Sequence, residues 1–259
     1  GAIAAFALVD ATLFQGFLAE GLERTSAGLG SVIIDSQPIT VAILAAALFG
    51  ERLSSRGVAG LAIAVVGLAL LEHVSPGTLL SWGKAEAAGS AGSLWESGEW
   101  WMFLAAQSMA VGTVMVRWVS RVCDPVMATG WHLLLGGLPL LGLSVVREPE
   151  TWSRLLSGGG TGVDAAGPLL SGPSELALLY ASLLGSAAAY AVFFYNASRG
   201  NLTKLSSLTF LTPVFAAAFG WAVLGETLSG DQLLGAGVTL AGVLLVTGAG
   251  GETKEGSGP

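Results

Sequence analysis

Within the long apolar runs of this 259-residue chain only a few side chains can ionise or hold a polar solute. Asp35 stands about eight residues into one run and three before Pro38. A carboxylate at mid-membrane costs about 2.5–3.5 kcal/mol on insertion scales, so it needs a cavity or a partner. Ser31, Asp35 and Pro38 share a helical face by their i, i+4, i+7 spacing. Two roles are open for Asp35: binding substrate or a proton at a pore, or bonding a neighbouring helix or the carbonyl freed by Pro38. Asp10, inside the first run, has the same choice between cavity lining and an interhelical bond. Gln15 follows it one or two turns on, and Gln37 beside Pro38 is placed to satisfy backbone. His132, with Trp131, opens the run after Asp124-Pro125. An intramembrane imidazole suits proton coupling, but a lone His also serves to satisfy a neighbour's hydrogen bond. Ser186 and Tyr190 share a face at i, i+4, the aromatic-plus-hydroxyl surface that organic solutes bind. Tyr195 and Asn196, near the end of the same run, fit an interfacial anchor. Thr209 and Thr212 precede Pro213 and serve either a ligand or their own helix backbone. The candidate substrate-binding set is therefore Asp35, Tyr190, Asp10, Gln15, His132, Ser186 and Thr209, with Pro38 and Pro213 as hinges.

Other chemistries are disfavoured. Cys123 is the only cysteine, which excludes an intrachain disulfide and a two-cysteine metal site. The sequence has no His-Glu-x-x-His, no Gly-x-Ser-x-Gly and no clustered His, so neither a catalytic centre nor a resident cofactor or metal is expected. Gly160-x-Gly162-x-x-Ala165 resembles a dinucleotide fingerprint but lacks a βαβ unit around it. There is no basic patch and no reason to expect nucleic acid as a partner.

The elements that position these residues are membrane spans. Hydrophobic residues make up 53% of the chain and charged residues 11%, against roughly 25% charged in a soluble domain. Spans of about 20 residues are needed to cross the hydrocarbon, and eight are predicted, at roughly 1–19, 27–49, 57–73, 100–118, 125–146, 175–197, 205–224 and 232–249. The third is short for a bilayer. Two longer links, about 74–99 and 147–174, are rich in small residues and read as flexible loops. Residues 251–259 form a polar tail. If loops alternate sides, seven Lys and Arg fall on one side and four on the other, which predicts both ends of the chain on the cytoplasmic or stromal side. The sequons at Asn196 and Asn201 would then lie inside, unglycosylated.

The most specific pattern is a repeat at an offset of 175 residues. Pro38 matches Pro213, and Gly50-Glu51-x-Leu53-Ser54 matches Gly225-Glu226-x-Leu228-Ser229. Ser31 matches Ser206, Gly60 matches Gly235 and Gly67 matches Gly242. Each copy predicts a Pro-kinked helix ending at Gly-Glu, a turn whose Ser54 or Ser229 caps the next helix, and a Gly-rich helix that packs closely. Glu51 and Glu226 are expected to be structural, capping or fixing that turn. Five crossings between the copies invert one against the other, a transporter signature. Asp35 has Phe210 as its counterpart, so the charge is asymmetric.

These two Pro…Gly-Glu-x-Leu-Ser…Gly-rich units resemble the EamA domains of the drug/metabolite transporter superfamily. The segments 100–118, 124–132, 202–213 and 25–38 are similar to the nodulin-like EamA proteins of plant and algal chloroplasts. The resemblance implies an all-α polytopic membrane protein, with the eight spans belonging to a ten-helix (5+5) inverted-repeat fold. It implies residues 1–73 as an incomplete first repeat and 100–250 as the second. Three helices precede the first long loop where the family has five, and residue 1 is an already apolar Gly, so about two further helices are expected upstream. The implied activity is secondary transport of a small organic solute across a bilayer by alternating access, in exchange or with a coupling ion. Asp35 and Tyr190 would line the cavity. The alternatives are a non-transporting scaffold or fragment lacking two helices, and a membrane-embedded enzyme. Substrate, coupling ion and oligomeric state are not specified by these residues.

Overall fold

A computed structural model describes residues 1–52, 54–75, 77, 95–156 and 172–248. Every regular element among the described residues is helical. Seven helices are long and apolar enough to cross a membrane: Ala2–Leu22, Ala27–Phe49, Gly98–Val119, Pro125–Arg147, Leu176–Arg199, Leu202–Leu224 and Gly230–Gly248. The eighth expected span is the apolar helix Ser55–Leu71, which has 17 residues. Large apolar side chains stand on the outside of these helices, among them Leu134, Val146, Leu184 and Val223. In water such a surface would aggregate; in lipid it is the proper outer face.

Local signals set the helix ends. Ser26, Ser54, Asp124, Asn201 and Ser229 accept hydrogen bonds from the backbone N–H groups of Leu29, Gly57, Val126, Lys204 and Gln232. Gly50 and Gly225 end their helices at φ 68° and 71°, the left-handed conformation that glycine adopts without steric cost. These two glycines are repeat equivalents.

The predicted kinks are breaks. The span Ala27–Phe49 divides into Ala27–Ile34 and Gln37–Phe49, with Asp35 and Ser36 as a turn between. Pro38 has no N–H to give the carbonyl four residues back, so the upper helix stops and a new one starts at its first turn. The span Leu202–Leu224 divides in the same way, into Leu202–Ser207, a 3₁₀ turn Leu208–Phe210 and Leu211–Leu224. Two other spans carry π-wound stretches, Ala7–Leu13 and Ala181–Ala188. Ala7 plus 175 is 182, so these stretches are repeat equivalents as well.

The link 147–174, expected to be a loop, opens with a helix, Pro149–Leu156, because Glu148-Pro149-Glu150 starts a new turn directly after Arg147. Trp152 Nε1–H donates to Ser144 Oγ at 3.1 Å and ties that helix to the preceding one. The glycine run 157–162, the bulk of the 74–99 link, Leu53 and the tail 251–259 lie outside the described residues.

The chain forms two compact units: Gly1–Leu13 with Met115–Arg199, and Phe14–Val114 with Gly200–Pro259. Each draws on both predicted halves. In the second unit the helices Ser55–Leu71 and Gly230–Gly248 pack along each other so closely that glycine is required. A Cβ on Gly60 would stand 2.7 Å from the carbonyl oxygen of Gly242, and one on Gly242 would stand 2.7 Å from that of Gly60. A Cβ on Gly67 would lie 2.9 Å from the Gly235 carbonyl, and one on Gly235 would lie 2.8 Å from that of Gly67. Gly60 meets the equivalent of Gly67, and Gly67 the equivalent of Gly60. Residue i of one copy thus touches j of the other while j touches i, as across a two-fold axis. Chain numbers rise along one helix as they fall along the other, so the pair is antiparallel. Val32, Leu61, Leu68, Phe210, Val243 and Val246 close the core beside the seam.

Candidate functional site

In the first unit Asp10 and His132 meet. His132 Nε2 lies 2.9 Å from Asp10 Oδ2, and both side chains are only 1% exposed. The contact is an ion-pair separation rather than an aligned hydrogen bond. Among the described residues Asp10 Oδ1 and His132 Nδ1 have no hydrogen-bond partner. The wall around the pair is aromatic. Phe6 stacks on the imidazole with centroids 4.5 Å apart, Phe194 meets it edge-on at 5.6 Å, and the Tyr190 ring lies at 5.9 Å. Tyr190 and Phe194, four residues apart, present one helical face to the pair.

The backbone explains how the two helices approach. Gly136 lies one turn beyond His132 on the same face. A Cβ there would collide with Ala11 and stand 2.9 Å from the Ala7 carbonyl oxygen. Thr12 Oγ1–H donates to the Gly136 carbonyl at 2.8 Å. Ala7, Asp10, Ala11 and Thr12 all belong to the π-wound stretch, where wider winding turns successive side chains differently from an α-helix. Such stretches recur at functional sites.

Asp35 belongs to the second unit. It sits half-buried in the turn between the two halves of its span. Ser31 Oγ lies 3.3 Å from Asp35 Oδ2 and 3.4 Å from Glu72 Oε1, so one hydroxyl stands between two carboxylates and can donate to only one at a time. The expected Ser31–Asp35 face is therefore formed, with Glu72 added from the end of the helix Ser55–Leu71. The counterpart Phe210 is fully buried in the core of this unit.

The remaining candidates fall in different settings. Gln15 is exposed and Ser186 is half-buried. Thr209 donates its hydroxyl to the Ser206 carbonyl at 2.8 Å, the back-bonded alternative. Gln37 is buried, and neither atom of its amide has a partner among the described residues, so it does not satisfy backbone. Asn196 bonds back to the Val192 carbonyl, and the Arg199 guanidinium lies over the Tyr195 ring at 4.2 Å.

Glu51 has a capping role, one of the two structural roles expected of it, on a helix distant in the sequence. Its carboxylate accepts from the N–H groups of Leu202 and Thr203 at 3.1 and 3.4 Å and from Thr203 Oγ1 at 3.2 Å. It caps the broken helix of the other repeat copy. Glu226 is exposed, and its carboxylate folds over Gly220, where any Cβ would collide with it. Phe6, Thr12, Glu72, Gly136 and Phe194 were not singled out in the sequence. Helical spacing is the signal that finds two of them, since Gly136 shares a face with His132 and Phe194 with Tyr190.

Seven long apolar helices, exteriors of exposed apolar side chains and buried polar groups inside the spans define a multi-pass integral membrane protein. The chain belongs to the EamA-like transporter family, whose model matches residues 1–72 and 96–248. It is 57% identical over 244 residues to a chloroplastic WAT1-related protein of Arabidopsis thaliana, covering 94% of this chain and 54% of that protein. It is 49% identical to an uncharacterized transporter of Synechocystis, covering 95% of this chain and 71% of the relative. A probable amino-acid metabolite efflux pump of Salmonella typhimurium is 27% identical over 222 residues, 85% of this chain and 67% of the pump. The chain thus spans about half the length of its Arabidopsis relative. A solved crystal structure matches with a TM-score of 0.71 at 19% identity, covering 95% of this chain and 76% of that one, and the resemblance is one of fold.

Proposed function

We propose that this chain is the core of a secondary transporter that moves a small organic solute across a membrane by alternating access. The observation that carries the reading is the reciprocal glycine seam together with the paired breaks at Asp35–Ser36 and Leu208–Phe210. Inverted copies meeting about a two-fold are the architecture from which alternating access arises. On this reading residues 1–73 belong to the first repeat and 100–250 to the second. The breaks before Pro38 and Pro213 are the hinges, because a turn with few internal hydrogen bonds bends at least cost. Tyr190 and Asp35 are the side chains assigned to solute contact, one by an aromatic face and the other by charge. The name of the Salmonella relative makes amino acids a sensible first solute class, and that of the Arabidopsis relative makes a chloroplast membrane the first location to examine.

The test is uptake of a panel of labelled amino acids, organic acids and sugar phosphates into liposomes holding the full-length protein, with Asp35→Asn and Tyr190→Phe beside it. Saturable uptake of one class, reduced by either substitution, supports the reading. Uptake equal to that of empty liposomes for the whole panel favours a non-transporting scaffold. Uptake that Asp35→Asn leaves unchanged removes that residue from the solute path.

A further inference from the structure

The Asp10–His132 pair is costly and does little for packing that an apolar pair would not do better. A buried ion pair seldom repays its desolvation, and replacing one by apolar groups is often neutral or stabilising. Here the cost is greater, because Asp10 Oδ1 and His132 Nδ1 lack partners among the described residues. Asp10 lies near the middle of its span, eight residues into Ala2–Leu22, and His132 lies about two turns inside its own, seven residues into Pro125–Arg147. Ionisable groups at that depth mark ion and proton pathways.

We propose that Asp10 and His132 form the proton-carrying site of the transporter, so that solute movement is coupled to a proton. The proposal rests on the transport reading above. His132 Nε2 faces the Asp10 carboxylate, which leaves Nδ1 as the atom where the proton comes and goes. Gaining a proton from water forms the Nδ1–H bond and makes an imidazolium–carboxylate pair of zero net charge. Returning it to water breaks that bond and leaves a neutral imidazole beside a carboxylate, a pair of charge −1. The two states differ by one charge inside a low-dielectric aromatic cage. They therefore favour different degrees of hydration, which is what a coupled site requires. Tyr190 is in ring contact with His132, so a bound solute and the proton would sense each other through one side chain.

The ion pair recorded for Asp10 and His132 among the described residues is the one between them. Ala2–Phe6 and Ala181–Ala188 carry no titratable side chain, and Ala7–Leu13 carries Asp10 alone. On Ala189–Arg199 the titratable residues are Tyr190, Tyr195 and Arg199, the last two turned to each other. On the helix of His132 itself the only charged residue is Arg147, at its far end. Pro149–Leu156, packed against that helix, carries Glu150 and Arg154.

The chain has only two histidines, His132 and the exposed His73, so the proton can be watched directly. The full chain in lipid nanodiscs, labelled with ¹⁵N-histidine, is titrated by NMR, with His132→Gln to assign the signals. We expect the His132 ring signals to report the gain and loss of a proton in the wild type. Asp10→Asn should change that behaviour, because an adjacent charge is lost. An imidazole that does not titrate, or one whose midpoint is the same in Asp10→Asn, overturns the proton site. The second measurement compares uptake of labelled amino acids into liposomes with and without a proton gradient. One pH unit supports about tenfold accumulation for one coupled proton. We expect a ratio well above one in the wild type and close to one in Asp10→Asn and His132→Gln. A wild-type ratio of one overturns the coupling. If no member of the full solute panel is moved at any pH, it is the transport reading that fails, and the NMR titration still decides the proton site.

Discussion

The two copies of the repeat share a backbone and differ in chemistry. The stretches Ala7–Leu13 and Ala181–Ala188 are wound alike at equivalent positions, but Asp10 in the first has Gly185 as its counterpart in the second. The broken spans are likewise equivalent, yet Asp35 in one is answered by Phe210 in the other, which fills the core. Glu51 caps a helix of the other copy while Glu226 stays exposed. Symmetry therefore governs the bends and the glycine seam, where both copies must do the same thing. Asp10 and Asp35 have no acidic counterpart in the second copy, and the partner that Asp10 meets, His132, lies in that copy.

This comparison can be broken experimentally. The largest effects should come from the seam, and they should be equal on its two sides. Gly67→Leu and Gly235→Leu each force a side chain into the facing backbone and should destabilise by upwards of about 3 kcal/mol, read as unfolding in detergent mixed with SDS. A large effect on one side alone would sink the two-fold description. Next comes the contrast between the π-wound stretches. Asp10→Ala leaves His132 buried without its counter-charge and should cost roughly 3 kcal/mol. Gly185→Ala adds a methyl where nothing lies within 4 Å and should change stability by no more than about 0.5 kcal/mol. Similar losses in the two variants would remove the asymmetry. A smaller difference is expected between the glutamates. Glu51→Gln weakens three charge-assisted hydrogen bonds and should cost about 1–2 kcal/mol, with faster exchange of the Leu202 and Thr203 amides. Glu226→Gln should stay within about 0.5 kcal/mol. The smallest expected change is Thr209→Val, about 0.5 kcal/mol or less, since its hydroxyl returns to its own helix.

Much of the fold was legible because its causes are local or repeated. Apolar runs and charged links placed the spans, and Pro38, Pro213, Gly50 and Gly225 placed breaks and ends, since each constrains its own backbone wherever it stands. The helix Pro149–Leu156 was missed because eight residues with mixed polarity carry no period that separates them from a loop. At the candidate site, Asp10 and His132 were picked out as ionisable groups inside spans and Tyr190 by the face it shares with Ser186, but their meeting was not. The separation between Asp10 and His132 depends on Gly136 letting the Ala7–Leu13 stretch approach, and on π winding that no residue pattern announced.

The sequence by itself determined that this is a multi-pass membrane protein, where its helices bend and stop, and that its two halves repeat, because hydrophobicity, proline and glycine act on the segment that contains them. Only the tertiary structure decided which polar groups face each other. It joined Asp10 to His132, set Ser31 between Asp35 and Glu72, and sent Glu51 to cap a distant helix. A buried charge takes its character from the partner a few ångströms away, and that partner can lie anywhere along the chain.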